Sequence, residues 1–195
     1  IVYEYVPEDD RGVDHSQANE RNRVCTANRY LKRIKYGNRT PNRDLATWQP
    51  TDPTQLPGDT WMFEVVFDYD EGHVFNETTN ADQQTFVEAS TTSTQDWTRR
   101  LDPFSSYRAG FEVRTYRLCQ RTLMFHHFPG EADVGQDCLV RSTDFTYSYE
   151  ENPQDARNPI YSFLISVEHC GYKRQNGVYL KRSLPPLEFE YTQPI

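Results

Sequence analysis

The sequence predicts a mainly β fold, in which antiparallel hairpins stack into an extended, curved, shell-like sheet joined by long loops. Three observations carry this expectation. Aromatic residues make up 14% of the 195 positions, including 13 Tyr and 11 Phe, and such side chains suit a half-buried pleated surface. Several segments alternate apolar and polar residues with a period of two. Four of them close on one aromatic-x-Tyr pattern: Tyr3-Glu4-Tyr5, Phe67-Asp68-Tyr69, Phe145-Thr146-Tyr147 and Phe189-Glu190-Tyr191. Two of these closures follow a similar partner, Leu31-x-x-Ile34-x-Tyr36-Gly37 and Leu164-x-x-Val167 ending at Gly171. The repeated unit is therefore expected to be a two-stranded hairpin, which buries its apolar face only by stacking against others.

Each element follows from its own pattern. Ile1-Val2-Tyr3-Glu4-Tyr5 reads as a strand, so the chain reads as a single segment, residues 1–195, cut from a larger protein. Residues 7–28 are polar and charged, and residues 40–59 carry Pro41, Pro50, Pro53 and Pro57. Both are expected to be surface connections. Trp61, Phe63, Val65, Phe67 and Tyr69 alternate with Glu64, Asp68 and Asp70, which places the aromatic set on one strand face, expected to be the buried one. Residues 77–96, rich in Thr, Ser, Gln and Asn, lack an apolar period and are expected to be a flexible loop or a weak helix around Asp82–Glu88. Phe111, Val113 and Thr115 begin an extended run reaching Phe128, expected to be one long strand with a bulge or bend. Further strands are expected at Leu139–Tyr149, Tyr161–Val167 and Leu187–Tyr191, the last entered through Pro185-Pro186, since proline suits strand starts.

Charge and composition exclude whole classes. With 21 Lys and Arg against 29 Asp and Glu, the net charge of -8 argues against a nucleic-acid partner, which needs a dominant basic surface. No apolar stretch approaches the ~18 residues of a membrane span, so direct membrane insertion is not expected. Cys25, Cys119, Cys138 and Cys170 are scattered without a CxxC pair; buried free thiols are expected, with one or two disulfides as the alternative. The sequons at Asn38 and Asn76 are treated as chance matches.

Four groups of residues invite a chemical reading. His126 and His127 are neighbours, but in a strand they point to opposite faces and do not jointly chelate a metal. Asp68-Tyr69-Asp70-Glu71-Gly72 resembles the start of a calcium loop yet lacks the closing bidentate Glu, so it reads as a solvated strand end. Arg114, Arg117 and Arg121, with Arg99, Arg100 and Arg108 upstream, form a basic cluster in an acidic chain. It reads either as ion pairing with acidic residues of neighbouring strands or as a protein-interaction surface. No nucleophile sits in a GxSxG context, and no Gly-rich loop leads into a helix.

Longer strings carry a resemblance. Ala27-Asn28-Arg29-Tyr30-Leu31-Lys32-Arg33-Ile34-Lys35-Tyr36-Gly37-Asn38, the run from Asp102-Pro103-Phe104-Ser105-Ser106-Tyr107-Arg108-Ala109-Gly110-Phe111 through Leu118-Cys119 to Phe128, Leu139-Val140-Arg141-Ser142, and Ser183-Leu184-Pro185-Pro186-Leu187-Glu188-Phe189 together resemble the SpvB-type region of insecticidal toxin-complex B components, also found in the Salmonella virulence protein SpvB. The resemblance spans nearly the whole chain. It implies a secreted bacterial toxin whose B component joins a C component carrying Rhs/YD repeats. The two form a hollow β-sheet shell, which holds the C component's cytotoxic C-terminal part unfolded until the A component's channel delivers it. The family's enzymatic activities reside in other parts, so no catalytic, cofactor-binding or metal residue is expected here.

The expected function is therefore structural. The rivals are a SpvB-like delivery module linked to a separate toxin domain, a glycan- or protein-binding β module using Trp48 and Trp97, and a hydrolase using two carboxylates that converge in a cleft.

Overall fold

The computed structural model describes residues 1–52, 60–151 and 161–192. Pro53 and Pro57 of the expected second connection lie outside them. The chain forms β1 (Val2–Pro7), β2 (Arg29–Asn38), β3 (Trp61–Asp68), β4 (Val74–Thr79), β5 (Thr85–Ala89), β6 (Phe104–Ser106), β7 (Val113–Thr115), β8 (Arg121–Phe128), β9 (Gly135–Tyr147), one helical turn α1 (Ser148–Glu151), β10 (Leu164–Gln175), β11 (Val178–Ser183) and β12 (Leu187–Glu188). Ten strands make one sheet in the order β1-β2-β3-β8-β9-β10-β11-β5-β4, with β12 beside β10; β6 and β7 form a separate ribbon. All pairings are antiparallel. The mainly β expectation holds, and both expected hairpin partners are neighbours: β2 lies beside β3, and β10 beside β12.

The sheet curls on itself. Val66 of β3, Leu123 and Phe125 of β8, and Leu139 of β9 share one core with Val87 of β5 and Tyr179 of β11, from the far end of the strand order. A sheet that buries one face this way separates an inner from an outer surface. Register fixes which residues go in, because directly opposed residues share a face. Glu64 opposes Phe125, Val66 opposes Leu123, and Asp68 opposes Arg121.

The expected burial of the Trp61–Tyr69 face holds at its ends, where Trp61 and Tyr69 are each 8% exposed, and fails in its middle. Glu64, Val66 and Asp68 are 5%, 0% and 3% exposed, whereas Phe63, Val65 and Phe67 are only partly covered on the outside. Along the middle of the strand the Phe63–Val65–Phe67 face is the outer one; Phe63 stacks on Tyr36 (5.1 Å) and meets His126 and Phe128 edge-on. Period-two alternation separates the faces but does not say which is inside. Buried countercharges decide it.

Three other expectations are corrected. Residues 77–96 are not one flexible loop or weak helix: β4 and β5 form a hairpin turning at Asn80, whose carboxamide oxygen accepts from the backbone of Asp82 and Gln84. Strand-favouring Thr residues and the fully buried Val87 hold it in the sheet. The run from Phe111 to Phe128 is not one strand. Its first part, β7, belongs to the separate ribbon, and the backbone N–H groups of Tyr116 and Arg117 then donate to the Tyr30 hydroxyl (2.9 and 3.4 Å) before Gln120 joins the main sheet through backbone bonds to Asp68 and Phe145. The strand expected to reach Tyr149 ends at Tyr147 in α1, and the last strand keeps only Leu187–Glu188. Among the cysteines, all four are free.

Candidate functional site

The expected arginine cluster is the centre of a buried ion-pair network. Arg117 is fully covered, donates through Nε to both oxygens of Glu8 (3.1 and 3.0 Å) and stacks 4.5 Å from the Trp97 ring. It also reaches Asp9 (3.1 Å) and the Arg11 carbonyl (3.0 Å). Arg114 donates to both oxygens of Glu20 (3.1 and 2.5 Å), and the Tyr116 hydroxyl donates to the same carboxylate (2.6 Å). Burial would push the Glu20 carboxyl up, but the hydrogen bonds from Arg114 and Tyr116 hold it below the ordinary carboxylate range. Tyr30, Tyr69 and Trp97 pack edge-on beside this network, with ring centroids 5.5 to 6.4 Å apart.

Residues 7–28 are the mostly exposed connection the sequence predicts, but this network anchors it at three buried positions. Glu8, Glu20 and Cys25 are 2%, 0% and 3% exposed. The segment is drawn in because its carboxylates are the counterions that Arg117 and Arg114 require. Arg114 and Arg117 are consequently absent from any surface, and their partners come from a loop rather than from adjacent strands. Arg100 pairs with Asp102 (2.9 Å) and lies over Phe104 (4.9 Å); Arg108 is exposed. Glu8 and Glu20 were missed because an isolated acidic residue in a polar stretch carries no periodicity. The only signal was arithmetic: two arginines inside a motif-dense run need two carboxylates.

The histidine pair splits between the faces, as alternation requires. His127 points inward, 3.1 Å from Glu64 and 3.0 Å from Asp137. Glu64 also binds Arg33, and these bonds from His127 and Arg33 hold its carboxyl low against the opposing effect of burial. His126 points outward against Phe63 (5.0 Å), where burial and then the charge of His127 lower its pKa.

The acidic stretch Asp68–Gly72 is not a solvated strand end. Asp68, Glu71 and His73 place ligand-type atoms within 4.8 Å of one another, but the Lys32 ammonium stands among them. Lys32 Nζ bonds Glu71, lies 3.0 Å from His73 Nε2 and donates to the Phe67 carbonyl (2.9 Å). The cluster carries its own cation. Asp70 and Gly72 shape the turn at φ of 68° and 70°, and a side chain at Gly72 would collide with the Thr94 hydroxyl.

A second acidic group lies at the β9–β10 pairing. Asp144 and Glu168 are directly opposed, and with Cys170 they bring ligand-type atoms within 4.8 Å. They border a cleft of about 310 Å³ that Gln120, Arg121, Phe145 and Ser166 also line. The Cys170 thiol donates to Glu168 (3.3 Å), and Lys181 stands 3.9 Å from Asp144. Burial, then the nearby carboxylates, pushes the Cys170 thiol up to about 11, and burial pushes Cys119 up to about 12. Neither is an activated nucleophile. Trp97 is 8% exposed and donates its indole N–H to Asp9 (2.9 Å), while Trp48 is 67% exposed. The two tryptophans therefore do not share one binding surface.

Comparison with known proteins agrees with this architecture. Residues 1–128 match the family model described as SpvB, Salmonella virulence plasmid 65kDa B protein. A "Mono(ADP-ribosyl)transferase SpvB" of Salmonella typhimurium is 40% identical over 175 residues, 89% of this chain, which spans about a quarter (26%) of that relative's length. The solved N-terminal domain of the effector SpvB from Salmonella typhimurium strain LT2 is 31% identical, with a TM-score of 0.56 over 96% of this chain and 46% of that one. The structure of TcdB2-TccC3 is 31% identical, with a TM-score of 0.68 over 97% of this chain and 8% of that one. With two thirds of its length under the family model and its fold shared with both structures, the chain belongs to the SpvB family.

Proposed function

We propose that this chain is a structural segment of the B component of a secreted toxin complex, helping to form a hollow β shell that encloses a cytotoxic effector, and that it carries out no catalysis itself. The observation that carries the reading is the curled ten-stranded sheet, whose course matches a segment of the TcdB2-TccC3 structure along 97% of the chain. Its reactive-looking side chains are committed to one another. Arg117 is neutralised by Glu8, Lys32 by Glu71, and the thiols of Cys119 and Cys170 are held protonated. The partners of the parent protein would be a C component with Rhs repeats and the channel-forming A component.

The test uses the full-length parent. Deleting Asp102–Phe128 removes β6, β7 and β8, hence the strand that joins β3 to β9. Co-purification with the C component should be lost, and the C component's C-terminal part should become open to protease. Normal assembly after this deletion would overturn the reading.

A second reading, a SpvB-like delivery module attached to a separate toxin domain, is favoured by the 40% identity to a protein named as a mono(ADP-ribosyl)transferase. The flanking coding sequence separates the two. An FG-GAP-type repeat array favours the toxin component, and a directly attached catalytic domain favours the effector.

A further inference from the structure

Besides the shared core, polar contacts join the two ends of the strand order at the root of the β4–β5 hairpin. Lys32 and Arg33 sit at a bulge of β2, where Glu4 pairs with Arg33 but Tyr5 pairs with Leu31. A bulge of this kind turns two consecutive side chains toward one face. Both reach inward to the root of the β4–β5 hairpin. Arg33 donates to the Thr91 carbonyl (2.6 Å), and Lys32 meets His73, the residue before β4. The backbone of Ser90 closes the hairpin root by donating to the His73 carbonyl (2.9 Å). β2 and the β4–β5 hairpin are not neighbours in the sheet; these contacts bridge the opening of the curl.

His73 is wholly buried, and its two ring nitrogens have opposite, fixed duties. Nδ1 lies 2.9 Å from the Ser90 carbonyl, which only accepts, so Nδ1 carries the hydrogen. Nε2 lies 3.0 Å from the Lys32 ammonium, which only donates, so Nε2 offers its lone pair. The ring is therefore neutral. A second proton would remove the acceptor and set two cations 3.0 Å apart.

We propose that the Lys32–His73 contact is an acid-sensitive clasp, which releases the β4–β5 hairpin from β2 and opens the curl when His73 takes up a proton. The groups facing it are Lys32 from β2, Asp68 and Tyr69 at the end of β3, Glu71 from the following turn, and Cys119 from the connection between β7 and β8. Asp68 and Glu71 oppose the release by favouring the protonated ring. Burial and then Lys32 act the other way and prevail, leaving the His73 pKa below its ordinary value. The sign follows: the contact contributes its full stability above the unfolded histidine value of ~6.5 and loses it as pH falls from there toward the depressed folded value.

Hydrogen exchange read by mass spectrometry on the full-length protein tests this at peptide level. After correction for intrinsic exchange, protection of residues 74–91 should fall about tenfold between pH 7.5 and 5.5, as linkage to one proton of pKa ~6.5 dictates. His73→Gln keeps a neutral side chain with one acceptor and one donor, and should keep that protection at pH 5.5. Equal acid loss in the wild type and the variant, or none in the wild type, would overturn the clasp. If the variant fails to fold, the wild-type His73 ring should stay neutral by NMR at a pH below the ordinary histidine value of ~6.5; protonation of His73 at or above that value would equally overturn it.

Discussion

Arg117 and Glu8 meet with neither side chain reaching solvent, although 109 positions separate them in the sequence. The pair pins the N-terminal segment against the connection between β7 and β8. A buried pair of this kind is weak evidence for net stability, but breaking it is costly because the remaining charge is stranded. Glu8→Ala or Arg117→Ala should each cost about 3–5 kcal/mol in urea unfolding. The double variant Glu8→Leu/Arg117→Met should cost clearly less than the sum of the single losses. Additive costs would show that the two side chains act independently.

The second pair adds a pH dependence. The Glu20 carboxyl is held low in the folded chain by Arg114 and Tyr116. Its stabilisation is present above the unfolded glutamate value and is lost as pH falls through the depressed folded value. Glu20→Gln should therefore flatten the acid limb of the stability curve, measured as urea midpoint against pH. A variant curve parallel to the wild type would refute this assignment.

The reversed face of β3 makes neighbouring valines unequal. Val66 is fully buried, while Val65 lies on the partly exposed outer side. Val66→Ala should cost about 2 kcal/mol, from roughly two methylene equivalents and a residual cavity, and Val65→Ala well under half of that. Chemical denaturation of the two variants decides it.

Thiol chemistry offers a fourth check. With their thiols held protonated by burial, Cys119 and Cys170 should react with a disulfide reagent at pH 8 far more slowly than free cysteine, and reach its rate only when the chain unfolds. Rapid labelling of either residue in the folded protein would contradict the packing.

The tryptophans should also behave differently. Trp48→Ala should change stability by no more than about 0.5 kcal/mol, whereas Trp97→Ala, which removes the Tyr30, Tyr69 and Arg117 contacts, should cost about 3–5 kcal/mol. Iodide quenching of the single-tryptophan emission from each site should report Trp48 as open and Trp97 as closed.

The strands themselves were legible because alternation and aromatic content are local signals. Trp61–Tyr69 and Leu31–Gly37 announced two neighbours that do pair. What the alternation of β3 lacked was a sense of inside, since Glu64 and Asp68 are buried only through Arg33, His127 and Arg121, supplied by other strands. The β4–β5 hairpin was hidden for a related reason: its Thr and Gln residues show no apolar period, and Val87 is its one fully buried core residue, with Val74 and Ala89 packed beside the core. Separating His126 from His127 needed only strand geometry, whereas placing Lys32 between Glu71 and His73 needed the curl of the whole sheet. Long-range countercharge was the information that a linear reading did not contain.

The strand order has a consequence for synthesis on the ribosome. Within this segment β1, β2 and β3 emerge before the other strands and can pair at once, but the free side of β3 waits for β8, which begins more than fifty positions later. Glu8 and Glu20 wait longer, 109 and 94 positions, for Arg117 and Arg114, and the β4–β5 hairpin waits for β11, nearly the last strand of this segment. Until residues 114–128 are made, the nascent segment therefore presents an unpaired sheet edge beside two uncompensated carboxylates. Its growth depends on the late strands arriving before another copy's edge does.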